Sequence, residues 1–222
     1  MELLIKEIFK NKEAAALPGL LESGGLPTLV SGLSAVHRAN LAAALRLESG
    51  RPIFVICPDD TAAESFARDL ASMLGEETET LVMRDYTFYA ADGVTRQTEQ
   101  ARLAAFDRLL SGARLAVCSA AALAQRTVPA QTLKSAALAV APDYSGGMEE
   151  LEKTLLLCGY VHRLQVEGPG QYSRRGGILD FFSPAHENPV RIEFWGDDID
   201  SMGFFDVQSQ RRLEACESAR IL

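Results

Sequence analysis

Long apolar runs are missing from this 222-residue sequence, since Arg, Glu, Asp or Gly interrupts every Ala- and Leu-rich segment. A membrane-spanning helix needs roughly 18 consecutive apolar residues, and no segment approaches that length. The first residues, MELLIKEIFKNKE, carry charges throughout and lack the apolar centre of a secretory signal. The sequence therefore predicts a soluble protein that lies in the cytoplasm and makes no membrane contact.

Cysteine is scarce, and its spacing fits neither a disulfide framework nor a metal site. The four cysteines are far apart and mostly have apolar neighbours: Cys57, Cys118, Cys158 and Cys216. No pair has the short spacing of zinc ligands. We therefore expect small buried side chains in a reducing compartment, with no metal and no cofactor.

Positive charge is also in deficit, with 22 Lys and Arg against 30 Asp and Glu and a net charge of −8. Broad affinity for nucleic acid phosphates needs clustered basic side chains, so this balance disfavours direct DNA binding and leaves open only a local basic patch. Apolar residues make up 47% and charged residues 23%. These ordinary globular values exclude wholesale disorder.

The first half of the chain has the pattern of a parallel α/β sheet. From Pro27 to about Val128, helical patterns alternate with four predicted strands: PTLVSG, PIFVIC, ETLVMR and RLAVCS. Thr61 and Glu64 predict a capping box at the start of one helix, and Gly75 predicts its end. EQARLAAFDRLLSG predicts a second helix.

The pattern changes near Pro129, where one more helix is predicted between Ser145 and Gly159. Period-two alternation follows in GILDFF and PVRIEFWGDDIDSMGFFD, with a tight hairpin predicted at Trp195-Gly196-Asp197-Asp198. This half reads as a small α+β domain with an antiparallel sheet. The predicted division is an α/β domain at 1–128, an α+β domain at 129–215 and the start of a linker at 216–222.

A loop in the first half has the position of a phosphate-binding loop but not its chemistry. PTLVSG leads into SGLSAVHR and then into a helical pattern, as in P-loop proteins. A working loop needs a Lys for the phosphates and a Ser or Thr hydroxyl for Mg²⁺. Gly32 is present, but His37, Arg38 and Ala39 stand where the Lys and the Ser or Thr are required. We predict a non-functional loop without ATP hydrolysis, and we interpret His37 and Arg38 as solvated surface rather than an anion site.

Binding chemistry is concentrated in VRIEFW, residues 190–195. Strand alternation predicts that Val190, Ile192 and Phe194 face the core and that the intervening side chains face solvent. Arg and Trp are enriched at binding hot spots, so this second face is the candidate site, formed by Arg191, Glu193 and Trp195. An ordinary cross-strand salt bridge beside a half-buried Trp is equally compatible with the pattern.

Two adjacent arginines precede that strand in GPGQYSRRGGILD. Arg174 and Arg175 lie between glycine-rich segments that bend the backbone, and they could join the same face. The arginine fork binds carboxylates through two hydrogen bonds and stacks on aromatic rings. Arginines suit such a site, although a pair alone does not establish one.

The segment VEGPGQYSRRGGILDFFSPAHENPVRIEFWGDDIDSMGFFDVQSQR is similar to the amino-terminal region of bacterial transcription-repair coupling factors, and a related segment occurs in UvrB. Matching features, in the family's order and spacing, are Gly170-Gln171-Tyr172, Arg175-Gly176, Leu179-Asp180 and the segment from Arg191 to Asp200. LVSGLSAVHRANLAAAL resembles the family's degenerate loop. Because UvrB keeps a working loop, the coupling factors are the better match.

The resemblance implies a UvrB domain 1A-like domain followed by a UvrB domain 2-like domain that binds UvrA. It implies a non-catalytic docking module that recruits UvrA by mimicking UvrB and so links stalled RNA polymerase to nucleotide excision repair. Arg175, Arg191 and Trp195 fall on the family's UvrA-contacting positions, and Glu193 is a weaker fourth. The role of Arg174 stays open. We also expect Arg191→Ala or Arg175→Ala to weaken UvrA binding without unfolding the module.

Three departures from UvrB affect the contact details: Ser173 replaces an Arg, Gly177 an acidic residue and Trp195 a Phe. The resemblance also implies a longer parent protein, an ATP-dependent DNA translocase, in which a later domain masks the UvrA-binding face. RNA polymerase and DNA would contact only domains absent from this chain. The alternative function is a UvrB-like helicase lobe with weak nucleotide binding, which the missing Lys opposes.

Overall fold

The computed structural model describes residues 1–24, 27–84 and 94–222, with the backbone alone at 94–96. Its Cα atoms group into two compact units. The first comprises described residues of Met1–Asp85 and Arg108–Arg126. The second comprises described residues of Tyr86–Asp107 and Thr127–Leu222. The predicted boundary near residue 128 lies close to the division after Arg126.

Helices and strands alternate through the first unit, and strands dominate the second. The helices are α1 Glu2–Lys6, a short 3₁₀ helix Glu7–Lys10, α2 Lys12–Ala15, α3 Leu17–Ser23, α4 Ala35–Ser49, α5 Asp60–Leu74, α6 Val94–Leu110, α7 Ala120–Ala124, α8 Ala130–Ala136 and α9 Gly147–Leu157. The strands are β1 Ile53–Cys57, β2 Glu79–Leu81, β3 Leu115–Ser119, β4 Leu138–Val140, β5 Val161–His162, β6 Gln171–Arg175, β7 Ile178–Phe182, β8 Val190–Trp195, β9 Asp198–Phe205, β10 Arg212–Ala215 and β11 Ala219–Ile221.

The first unit contains a parallel sheet of three strands in the order β1-β3-β2. Helices α4 and α5 bury their small and aliphatic side chains against it, and β3 is buried along its whole length. Buried members of this core are Ile5, Ala43, Ala44, Leu70 and Leu115. The predicted α/β class with a parallel sheet is confirmed.

The predicted strand PTLVSG is not formed. Residues 27–32, all described, contain no strand, and Leu29 is 91% exposed. An extended apolar segment becomes a strand only when a neighbouring strand pairs with its N–H and C=O groups, and the three-stranded ladder does not include this segment. The strand that should precede a phosphate-binding loop is therefore missing from the described residues.

Helix α5 begins at a different cap from the predicted one. The Asp59 side chain accepts a hydrogen bond from the Ala62 N–H at 2.8 Å, so Asp59, rather than Thr61, satisfies the first turn. The capping box of Thr61 with Glu64 is wrong, because an earlier Asp occupies the capping position. The predicted stop at Gly75 is confirmed by its left-handed backbone, φ +66°.

The second unit contains a six-stranded sheet in the order β10-β9-β8-β7-β6-β5. Neighbouring strands are antiparallel except β5 and β6, which are parallel. Helix α9 packs through Leu151 and Leu155 into the largest buried cluster, which includes strand residues Leu179, Phe181 and Ile192. The predicted small antiparallel domain with a helix is confirmed.

Residues 216–222 differ from the linker that the sequence predicts. Strand β11 pairs antiparallel with β4, where Ala219 opposes Val140 and Ile221 opposes Leu138. Ile221 and Leu222 are buried. Backbone pairing and apolar burial hold this segment within the second unit.

Candidate partner-binding site

Strands β6 to β9 present two faces, and cross-strand register assigns each side chain to one of them. The helix face lies against α9 and includes Tyr172, Arg174, Leu179, Phe181, Val190, Ile192, Phe194 and Met202. The open face includes Ser173, Arg175, Ile178, Asp180, Phe182, Arg191, Glu193, Trp195, Ser201, Gly203 and Phe205. Val190, Ile192 and Phe194 are buried as predicted.

Loops cover one end of the open face. Val166, Phe182 and Phe205 form a small buried cluster there. The Gln210 side-chain amide links two of these loop segments, because it donates to the Val207 carbonyl at 2.8 Å and to the Val166 carbonyl at 3.4 Å. The opposite end, which carries Arg175, Glu193 and Trp195, is more accessible.

A buried carboxylate lies in the middle of the open face. Asp180 is 1% exposed, and its oxygens accept from Arg191 Nε at 2.7 Å and from Arg191 Nη2 at 2.8 Å. Arg175 Nη2 donates to Asp180 Oδ2 at 2.8 Å. A buried charge is tolerated only when it is paired, and two arginines supply that pairing.

The Arg191 side chain is far more enclosed than a surface arginine. Only 19% of it is exposed, and its guanidinium carbon lies 4.5 Å from the centre of the Phe205 ring. Hydrogen bonds to Asp180 raise the pKa of Arg191, and burial opposes this rise. Arg191 faces the predicted side of the sheet, but most of its hydrogen-bonding capacity is directed into the protein.

Arg175 and Trp195 remain accessible on the same face. The Arg175 side chain is 50% exposed, and it uses one of its five N–H groups within the part of the chain that the structure describes. Trp195 is 84% exposed at the end of β8. Glu193, between Arg191 and Trp195 along the strand, is half-buried.

Arg174 lies on the other side of the sheet. Its Nη1 donates to Glu152 Oε2 of α9 at 2.7 Å, and the Tyr172 hydroxyl donates to Glu152 Oε1 at 3.3 Å. Successive side chains of a strand point to opposite faces, so adjacent arginines cannot both join Arg191. The interpretation that Arg174 shares the face of Arg191 is wrong.

Two tight backbone features fix the exposed end. Trp195 pairs with Asp198 across the predicted hairpin, and Gly196 adopts φ +66° at the first turn position, as a type II′ turn requires. Position 177 has no room for a side chain, because a Cβ there would lie 2.9 Å from the Phe194 carbonyl oxygen, and Gly177 meets this requirement. The Phe194 N–H donates to the Gly177 carbonyl at 2.7 Å. These contacts set the position from which Trp195 projects.

The predicted nucleotide loop lies in the first unit, whereas the open face belongs to the second unit. Gly32 has φ +79°, and Ser34 caps α4 by accepting from the His37 N–H at 3.4 Å. The His37 ring Nδ1 lies 2.9 Å from the Ser34 hydroxyl oxygen, so its contact is within its own turn. Gly32, His37 and Arg38 are all exposed.

Asp180 is the site residue that sequence reasoning missed. The available signal was an acidic residue inside the apolar strand GILDFF, at a position whose alternation matches Phe182. Cross-strand register, which local pattern does not supply, places it opposite Ser173 and Arg191. A buried acid in a strand predicts a basic partner on a neighbouring strand.

Within the described ranges, no group of three or more His, Cys, Asp and Glu side chains is arranged to hold a metal ion. Within the same ranges, every helix is too short or too polar to cross a bilayer. The four cysteines are free thiols, and burial raises the pKa of Cys57, Cys158 and Cys216.

Comparison with known proteins finds a family match in the carboxy-terminal part of the chain. Residues 138–222 match the family described as the UvrB interaction domain. This match covers the six-stranded sheet, including every open-face residue.

The chain is also similar to particular proteins over most of its length. It is 32% identical to the transcription-repair-coupling factor of Myxococcus xanthus over 86% of the chain, and 30% identical to that of Bacillus subtilis (strain 168) over 90%. It is 25% identical to UvrABC system protein B of Chlorobium limicola over 94% of the chain. The resemblance to transcription-repair coupling factors is confirmed. The chain spans 17% of the length of both coupling factors and 31% of UvrABC system protein B.

Proposed function

We propose that this chain is a non-catalytic docking module of a transcription-repair coupling factor that recruits UvrA by presenting a UvrB-like surface. The observation that carries the proposal is the open face, where Arg175, which is ion-paired to the buried Asp180, and Trp195, at the end of β8, are both exposed. The match of residues 138–222 to the UvrB interaction domain supports the same assignment.

The accessible side chains define the chemistry of a complementary surface. Trp195 offers a large apolar ring, so its partner would supply an apolar pocket that excludes water. Arg175 has N–H groups left over after its bond to Asp180, so its partner would supply a carboxylate. Glu193 would take a basic group at the same interface. The partner surface is thus expected to combine an acidic patch, a basic group and an apolar pocket.

Several features support a role without ATP hydrolysis. The loop that would bind phosphate has His37 and Arg38 in place of the required Lys and hydroxyl. The strand that should lead into it is not formed at residues 27–32. Nucleotide chemistry, DNA translocation and RNA polymerase binding would then belong to other parts of a longer parent, and a later domain would cover the open face in the absence of UvrA.

The test is calorimetric titration of the purified chain with UvrA from the same organism, with Trp195→Ala as the main variant. A tryptophan that acts as a binding hot spot costs at least about 2 kcal/mol when it is truncated to alanine, so we expect Kd to rise roughly thirtyfold or more. Leu157→Ala is the matched control, because Leu157 is 89% exposed but lies at the end of α9. Circular dichroism checks that both variants remain folded.

Either of two results would reject this assignment. A folded wild-type chain that does not bind UvrA would exclude docking to that partner. Equal loss of affinity in Trp195→Ala and Leu157→Ala would remove the open face as the binding surface.

A further inference from the structure

Asp180 accepts hydrogen bonds from two arginines, which differ in exposure and in the number of N–H groups left for a partner. Both of its oxygens bond to Arg191, through a two-point contact at 2.7 and 2.8 Å. Oδ2 also accepts a single bond from Arg175, at 2.8 Å. The Arg191 guanidinium makes three hydrogen bonds within the protein and its side chain is 19% exposed, whereas the Arg175 guanidinium is tethered by one N–H and its side chain is half-exposed.

The cross-strand geometry explains this asymmetry. Asp180 lies on the strand between Arg191 on β8 and the end of β6, and it is directly opposite Arg191 in register. Arg175 lies two residues beyond Ser173, the residue that is opposite Asp180 on β6. It therefore reaches back along the open face to the carboxylate. Its guanidinium is held at the boundary between the buried centre and the accessible end.

A long arginine side chain loses rotational freedom when it binds a partner, and this loss weakens binding. A side chain already held in place by the protein loses less, so the same contact gives a tighter complex. The tether to Asp180 leaves the remaining Arg175 N–H groups free to meet a carboxylate from outside.

We propose that Asp180 is a positioning residue that orients Arg175 towards an acidic group of the partner. Arg191 neutralises the buried negative charge of Asp180. This inference rests on the proposed docking function and adds a residue to its site. Arg191 then acts from within the sheet, by holding Asp180 in place through two hydrogen bonds, and Arg175 makes the outward contact.

The test is a double-mutant cycle in the calorimetric titration with UvrA, using Asp180→Asn, Arg175→Ala and the double variant. Loss of one ordered charge-assisted contact corresponds to roughly a tenfold rise in Kd, which we expect for Asp180→Asn when Arg175 is present. In the Arg175→Ala background we expect Asp180→Asn to change Kd less than twofold. A purely structural Asp180 would raise Kd by the same factor in both backgrounds, and that result would overturn the proposal.

Glu152→Gln is the matched control for Asp180→Asn. It removes the carboxylate that holds Arg174 by an equally short bond, 2.7 Å, on the helix face. We expect Kd to change less than twofold. A tenfold rise would show that loss of any arginine-bound carboxylate in this sheet disturbs binding, and it would contradict a specific role for Asp180.

A measurement on the wild-type chain covers the case in which Asp180→Asn does not fold. The ¹⁵N heteronuclear NOE of the Arg175 Nε group should be close to the backbone value, and that of exposed Arg163 should be much lower. An Arg175 Nε as mobile as that of Arg163 would overturn the proposal without any variant.

The outcomes also separate this inference from the function on which it rests. Absence of UvrA binding by the folded wild type rejects the docking function and the positioning role together. Binding that depends on Trp195 and Arg175 but shows no coupling between Arg175 and Asp180 keeps the docking function and rejects only the positioning role.

Discussion

The loop at residues 32–38 in the first unit and the open face in the second both carry exposed cationic or ionisable side chains, but they hold them differently. His37 contacts Ser34 in its own helical turn. On the open face, Arg175 and Arg191 converge from separate strands on a buried carboxylate. A local contact can form on any surface, whereas a buried carboxylate shared by two arginines requires a specific strand register. The open face is therefore the stronger candidate for a binding site.

The largest expected effect is that of Arg191→Ala on stability. Breaking a buried ion pair leaves a charge without its partner, which usually costs about 3–5 kcal/mol. Arg175 keeps one bond to Asp180, so we expect the lower end, about 3 kcal/mol. Urea unfolding followed by circular dichroism measures the change, and hydrogen exchange at β7 and β8 locates it.

Arg38→Ala is the corresponding change in the first unit. Arg38 is exposed, so we expect its removal to alter the free energy of unfolding by less than about 0.5 kcal/mol. Equal effects of Arg38→Ala and Arg191→Ala would show that the two regions do not differ as described. Because Arg191→Ala affects folding, Trp195→Ala is the cleaner probe of binding.

The buried Tyr160 hydroxyl gives an expected change in the free energy of unfolding of intermediate size. This change arises because deprotonation would place a negative charge inside the second unit. Burial raises the pKa of Tyr160 to about 12 from an ordinary value near 10. The folded state therefore holds this proton more tightly than the unfolded state. The associated stability is fully present below about pH 10 and is lost as pH rises towards 12, by roughly 2–3 kcal/mol.

Unfolding measured between pH 9 and 12 in the wild type and in Tyr160→Phe tests this expectation. The phenylalanine variant should lack that part of the pH dependence. Identical pH dependence in the two proteins would contradict it and would indicate that other groups cause the loss of stability at high pH.

Within the second unit, the smallest expected effect comes from Arg174→Ala, which sharpens the contrast between adjacent arginines. The Arg174–Glu152 pair is partly exposed on the helix face, with side chains 36% and 22% accessible. Such pairs usually contribute less than about 1 kcal/mol, so we expect a small loss of stability and an unchanged Kd for UvrA. Titration beside Arg175→Ala is the measurement. Equal losses of affinity would invalidate the assignment of the two arginines to different faces.

Local patterns predicted those parts of the fold that local forces determine. The alternation in residues 190–195 placed Arg191, Glu193 and Trp195 on one face, and the hairpin at Gly196 follows from its turn chemistry. Non-local pairing explains the failures. PTLVSG has strand-like residues but no partner strand, and Asp180 acquires its role only when β6, β7 and β8 align. The error over Arg174 has another cause: residues 171–175 were not predicted as a strand, and once β6 forms, its alternation places Arg174 and Arg175 on opposite faces.

The close approach of Gly177 to the Phe194 carbonyl has a kinetic consequence for any partner of the open face. With no room for a side chain at Gly177, the ends of β7 and β8 are held at backbone contact. A one-residue slip would turn Arg191 and Glu193 towards the core, so the register is strongly enforced. A partner would therefore meet a surface that needs little rearrangement. Among complexes formed on such surfaces, sequence changes act mainly on the lifetime of the complex rather than on the speed of encounter.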